Sequence, residues 1–175
     1  IVDSLYIPKV GSYDGVISDS SWIIKTQSDS LLNMSSKDGK VLQKISFKNG
    51  FNDLIRAGPK TLSWQYNSVF IVDSSFEVDT IHFSEEIIGI QPFSDGLYVL
   101  STSHIWLLKE GGDNFIIKDS VEAPVDAASL LFHPYIPSLV VFTSKNEVYF
   151  YDDVLNETGM VQLFFDPVYA EDLYY

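Results

Sequence analysis

Four short apolar runs, separated by polar turns, recur along this chain at a spacing of just under forty residues. That repetition constrains its fold more than any single residue does. The stretch from Ser129 to Asp153 shows the unit. Leu139-Val-Val-Phe-Thr143 and Val148-Tyr-Phe-Tyr151 are β-branched and aromatic runs suited to a pleated, half-buried surface. Ser144-Lys-Asn-Glu147 between them has turn chemistry, so the pair predicts an antiparallel hairpin. Val125-Asp-Ala-Ala-Ser-Leu-Leu-Phe132 supplies a strand before it, closed by His133 ahead of Pro134. Met160-Val-Gln-Leu-Phe-Phe165 supplies one after it, beyond Asn156-Glu-Thr-Gly159.

The same order is written upstream. Ile87–Phe93, Gly96–Ser101, His104–Leu108 and Asn114–Lys118 form one set, and Phe51–Arg56, Thr61–Gln65, Ser68–Val72 and Glu77–Phe83 another. An incomplete set, Ser21–Lys25, Ser30–Met34 and Val41–Ile45, precedes them, its last turn being Lys37-Asp-Gly-Lys40. First strands open near residues 51, 87 and 125, offsets of 36 and 38 residues. Four strands in a period of about 40 residues match the blades of a β-propeller. A single four-stranded sheet cannot bury both faces, whereas stacked copies bury each other's faces and leave only short edges. The expected fold is therefore all-β, with β-propeller-like repeats of four-stranded antiparallel sheets. A single propeller-like domain over residues 1–175 would carry blades at 15–47, 51–83, 87–121 and 125–165. Another antiparallel sandwich or barrel is the alternative.

Residues 125 to 152 resemble one WD-repeat: an apolar strand ending Phe132-His133-Pro134, a second strand, a polar turn holding Ser144 and Asn146, and a third strand ending Tyr151-Asp152 where the family has Trp-Asp. The resemblance covers three and a half to four blades, and it departs from the family pattern. No Gly-His pair precedes Val125, the other blades lack the Trp-Asp ending, and the family's Asp-His-Ser-Trp hydrogen-bond network is not expected from these residues. The chain thus resembles a degenerate WD-repeat-like propeller of the kind found at the ends of large scaffold and coat subunits. Lys37-Asp-Gly-Lys-Val-Leu-Gln-Lys44 also resembles quinoprotein-like propellers. WD-type rings usually need about seven blades, or roughly 280 residues at this period. With 175 residues and Ile1 as the first, the expectation is an incomplete propeller or a piece of a larger one, continuing in a longer natural chain or closed by a partner's blade. The final segment, Asp166 to Tyr175, reads as an acidic tail or the start of a further strand.

Composition excludes several classes. Eleven basic residues against twenty-four acidic ones leave a net charge of −13, which repels a phosphate backbone, so no direct nucleic-acid partner is expected. The 46% hydrophobic content is enough for a packed core. No cysteine is present to staple a disulfide framework or ligate a metal, which fits an intracellular domain. The longest apolar runs are far too short for a transmembrane helix.

Candidate chemistry is sparse. His82, His104 and His133 are 22 and 29 residues apart, which matches no local metal-ligand spacing. His82 is expected to face solvent between Ile81 and Phe83. No Gly-x-Ser-x-Gly elbow marks a nucleophile. Neither Asp152-Asp153 with Asn156 and Glu157 nor the segment from Asp14 to Asp19 has the alternate-position order of a calcium loop. Asn33-Met-Ser35 and Asn156-Glu-Thr158 match the glycosylation acceptor pattern, which has meaning only in a secretory protein. Trp22, Trp64 and Trp106, each 42 residues apart, read as blade-packing residues.

No catalytic, cofactor or metal residue is therefore assigned. The expected role is a noncatalytic protein-interaction scaffold in a larger intracellular assembly, of the nuclear pore, vesicle coat or tether, or ribosome-assembly type. Acidic loops at Glu85, Glu86, Asp152, Asp153 and Glu157 would meet basic surfaces of partner proteins. The rival readings are a propeller hydrolase using acids at a central channel and a secreted ligand-binding propeller.

Overall fold

The computed structural model describes residues 15–17, 21–26, 30–47, 50–112, 114–133 and 138–164. Among them lie sixteen strands and no helix, so no helix is long and apolar enough to cross a membrane. The strands form four antiparallel meanders in chain order. The first sheet holds β1 (Gly15–Ile17), β2 (Ser21–Lys25), β3 (Ser30–Ser35) and β4 (Val41–Ser46). The second holds β5 (Ile55–Ala57), β6 (Lys60–Gln65), β7 (Ser68–Val72) and β8 (Val78–His82). The third holds β9 (Ile87–Phe93), β10 (Gly96–Ser101), β11 (His104–Gly111) and β12 (Asn114–Glu122). The fourth holds β13 (Ala127–His133), β14 (Ser138–Thr143), β15 (Glu147–Tyr151) and β16 (Glu157–Gln162). The chain divides into two compact units, Ile1–His82 and Phe83–Tyr175.

In the first unit, Ile23, Leu31, Phe51, Val72 and Phe76 form a buried cluster, with the Phe47 ring centroid 4.8 Å from those of both Phe51 and Phe70. The β7–β8 connection is built to deliver Phe76 to that cluster. Asp73 Oδ1 accepts the backbone N–H groups of Ser75 and Glu77, each at 2.9 Å, and Phe76 sits at φ 65°. A bulky residue in the left-handed region carries a local conformational cost, offset here by burying an aromatic ring.

The second unit repeats the device. Asp152 Oδ1 accepts N–H groups from Val154 (3.1 Å) and Asn156 (2.8 Å), and Leu155 sits at φ 64° in the β15–β16 connection. Leu155 is buried with Tyr98, Leu100, Ile105, Leu107, Leu139, Val141 and Tyr151. Tyr98 is fully enclosed, stacked on Phe93 with centroids 4.6 Å apart. Register explains the pattern: Leu139 pairs with Tyr151 and Val141 with Tyr149, so alternate residues of β14 and β15 share the core face.

Several expectations shift. The set expected to be incomplete has its fourth strand, because β1 pairs with β2 from Gly15↔Ile24 to Ile17↔Trp22. The strand expected from Phe51 starts at Ile55, since Phe51 enters the core from a loop. The last strand is Glu157–Gln162 and not Met160–Phe165, because the Asp152 turn releases the chain at Asn156 and β15 pairs with it at once. His82 is exposed as expected, its Nδ1 2.9 Å from Ser68 Oγ across the β7–β8 pair. Trp64 is buried, and Trp106 meets Phe83 edge-on at 5.6 Å. Asp14, Asp19, Pro134, the side chain of His133 and the tail from Asp166 lie outside the described residues.

Candidate functional site

The densest polar cluster in the second unit closes the β10–β11 turn. The ladder between β10 and β9 shifts register between Leu100 and Ser101, and such bulges re-aim a side chain at a strand end. Ser101 is fully buried. Its hydroxyl lies 2.6 Å from Glu85 Oε2 and receives the backbone N–H of His104 (3.0 Å) and the indole N–H of Trp106 (3.2 Å). The His104 carbonyl oxygen lies 3.0 Å away as a competing acceptor, but the charged carboxylate is closer and stronger. Glu85 Oε1 meets His104 Nδ1 at 2.7 Å, and Oε2 also accepts the Ser103 N–H at 3.2 Å. The backbone completes the clamp: Thr102 N–H donates to the Glu86 carbonyl at 3.0 Å, and Ala123 N–H to the Ser103 carbonyl at 2.9 Å.

The third sheet holds a glutamate–serine–histidine–tryptophan cluster that no motif in the sequence announces. Its three donors to that carboxylate hold Glu85 well below the usual range, at about 2, the Ser101 hydroxyl contributing most, ahead of Ser103 and His104. Serine, histidine and acid are the ingredients of a nucleophile relay, but the geometry differs. In a relay the imidazole takes the serine proton and the acid orients the imidazole. Here the carboxylate takes the serine O–H directly, and two N–H groups fill the hydroxyl's acceptor positions. The cluster is a turn brace.

The predicted acidic loops fall into two places. β9 runs from Ile87 to Phe93 with Ser101 opposite Ile87 and Gly96 opposite Phe93, so Glu85 and Glu86 lie at the Ile87 end of the third sheet. Asp152 and Asp153 lie at the other end, where Tyr98 donates to the Asp153 carbonyl oxygen at 3.4 Å. Glu85 is turned inward to the brace, while Glu86 is exposed. Asp152 spends both carboxylate oxygens on its own turn, Oδ2 accepting Asn156 Nδ2 at 2.9 Å, and its pKa is lowered by those Asn156 bonds first. Asp153 and Glu157 are exposed. Burial pushes the Tyr98 phenol up to about 12, with the charges of Asp153, Asp152 and Asp95 adding to it. Asp95 is paired with Lys109 at 3.1 Å. Among the described residues no group of three or more His, Cys, Asp or Glu side chains could hold a metal ion.

No protein-family model matches the chain, and no curated protein matches its sequence. Solved structures do match it. Hsv2 of Kluyveromyces lactis superposes with a TM-score of 0.72 at 9% identity, over 94% of this chain and 54% of that one. BBS1N, crystallised in complex with ARL6DN, gives 0.65 at 10% identity over 89% and 51%. The N-terminal domain of Nup159 gives 0.62 at 12% identity over 97% and 48%. All three are β-propeller proteins, and the likeness shows the fold: this chain is all-β, a partial propeller of four-stranded antiparallel sheets. It spans about half the length of these three structures.

Proposed function

We propose that this chain is a noncatalytic protein-interaction scaffold, a degenerate WD-repeat-like propeller subunit of a larger intracellular assembly of the nuclear pore, vesicle coat or tether, or ribosome-assembly type. The observation that carries this reading is the distribution of exposed apolar side chains. Val41 and Leu42 stand out from β4, Ile116 and Ile117 from β12, and Met160 and Val161 from β16, each the last strand of its sheet. Exposed apolar groups aligned on edge strands suit contact with another chain. The polar residues closest in type to a catalytic set are meanwhile consumed in the Ser101 brace. A similar propeller, BBS1N, is seen holding a protein, ARL6DN. Glu86, Asp153 and Glu157, exposed and acidic, steer basic partner surfaces toward the second unit.

Affinity capture with this chain as bait, at low and high salt, tests the reading. The expected result is a stoichiometric companion whose recovery falls as salt rises and falls again when Glu86, Asp153 and Glu157 are changed to lysine. A companionless monomer that hydrolyses a glycoside or ester would overturn it in favour of a propeller hydrolase.

A further inference from the structure

The four sheets defend their last strands differently. β4 carries Lys44 and follows Lys40, and β12 carries Lys118 between Ile117 and Asp119. A lysine on an edge strand opposes pairing with another strand, because the incoming chain must cover or displace a solvated charge. β8 has no lysine, but exposes Asp79, Thr80 and His82 and no large apolar group. β16 is different. Its sequence, Glu-Thr-Gly-Met-Val-Gln, has neither lysine nor proline, and Met160 and Val161 are 50% and 49% exposed.

The backbone phase of β16 is also set for pairing. Leu163 N–H donates to the Asn146 carbonyl at 2.7 Å, and the register pairs Gln162 with Glu147, Val161 with Val148 and Met160 with Tyr149. In an antiparallel ladder, inward and outward hydrogen-bonding residues alternate. Leu163 and Val161 therefore bond toward β15, and Met160 and Gln162 turn their N–H and C=O groups outward, where the described residues offer β16 no second strand. Gly159 adds room beside them, since a Cβ placed there meets no atom of the described residues within 4 Å.

We propose that the outer edge of β16 is a strand-addition site for an extended partner segment that alternates apolar and basic residues. This deepens the scaffold reading and rests on it. Outward amides at Met160 and Gln162 supply the main-chain bonds, and Met160 and Val161 stand on opposite faces, so an alternating segment sets its apolar residues against one of them and its basic residues on the other face. Glu147 on β15 and Glu157 on β16 select the basic residues by charge. The same acidity, within a chain of net charge −13, opposes pairing with a second copy.

The test uses the 175-residue chain, isotopically labelled, and a hexapeptide of alternating lysine and valine that is N-methylated on alternate residues, so that only one of its edges can pair. Amide shifts and exchange protection are expected at Met160 and Gln162, ahead of those in β4 and β12. Met160→Pro removes an outward N–H without touching the inward ladder, and Met160→Lys installs the missing gatekeeper. Each should weaken binding by about tenfold or more, while Ile116→Lys leaves it unchanged. Binding by either Met160 variant as tight as the parent's, equal shifts along β12, or a homodimer that Met160→Lys dissolves would overturn the proposal. If the peptide fails to bind while affinity capture still returns a companion, the edge assignment falls and the scaffold reading stands.

Discussion

Glu85 Oε1 lies 2.7 Å from Nδ1 of His104, nineteen residues further along the chain, and this contact joins the loop before β9 to the start of β11. The other oxygen of the same carboxylate holds Ser101, so a single side chain fixes both ends of the β10–β11 turn.

Removing the centre of that brace should be costly. Ser101→Ala leaves the Trp106 and His104 N–H groups without their acceptor and should destabilise the protein by about 2–3 kcal/mol. Glu85→Gln keeps one carbonyl oxygen but loses the charge, for about 1–2 kcal/mol. Urea denaturation at neutral pH measures both, and a Ser101→Ala variant as stable as the parent would show that the brace holds nothing.

Acid should release the same brace. The Glu85 carboxyl is held at about 2 in the folded state against 4.5 when free, so the unfolded chain binds this proton first. The stabilisation is complete above about pH 4.5 and disappears as pH falls through about 2. The stability gap between the parent and Glu85→Gln should narrow across that window, and a gap that stays constant would place its origin elsewhere.

Alkali acts on the buried phenols. Tyr98 and Tyr151 are both pushed up to about 12, by burial first and neighbouring carboxylates second. Their neutral forms favour folding fully below the free value of 10.0, and this contribution is lost as pH rises toward 12. Near-ultraviolet absorbance should show Tyr98 and Tyr151 among the late-titrating tyrosines. Tyr98→Phe should remove one of them at a cost of about 1 kcal/mol or less, because its hydroxyl bond is long at 3.4 Å.

The twin aspartate turns predict paired effects. Phe76→Ala and Leu155→Ala each empty a core position and should cost about 3–5 and 2–5 kcal/mol respectively. Asp73→Ala and Asp152→Ala, which leave those side chains intact but free the loops that aim them, should lower the melting temperature by less than the core truncations. Calorimetry on the four single variants ranks them.

Gly96 allows no side chain. A Cβ there would collide with the Phe93 ring and with the Leu108 carbonyl oxygen, and the second collision cannot be relieved by a rotamer change. Gly96→Ala should therefore cost about 3 kcal/mol, with Phe93 displaced from Tyr98 in the near-ultraviolet circular dichroism.

The strands most legible in the sequence are those whose residue types settle the matter locally. β7, β9 and β10 run as expected because β-branched and aromatic runs lie between unmistakable turns such as Tyr66-Asn67 and Ser94-Asp95. β16 begins three residues before the strand its residue types predict, because Glu-Thr-Gly has little strand character. It is a strand only because the Asp152 turn presents it to β15. Phe51 has strand-forming chemistry, yet a core position beside Phe47 claims it from a loop.

At the brace, the sequence singled out Glu85 by its charge alone. Its partners Ser101, Ser103 and His104 stand sixteen, eighteen and nineteen residues away, and no local spacing rule links an acid to a turn across an entire hairpin arm. By itself, then, the sequence determined the repeated four-stranded unit, because strand and turn preferences act over a few neighbouring residues. Only the tertiary structure decided which acids are spent inside turns and which face solvent, and which residues of β16 bond toward β15. Those outcomes depend on the register and bulges that bring distant residues into hydrogen-bonding distance.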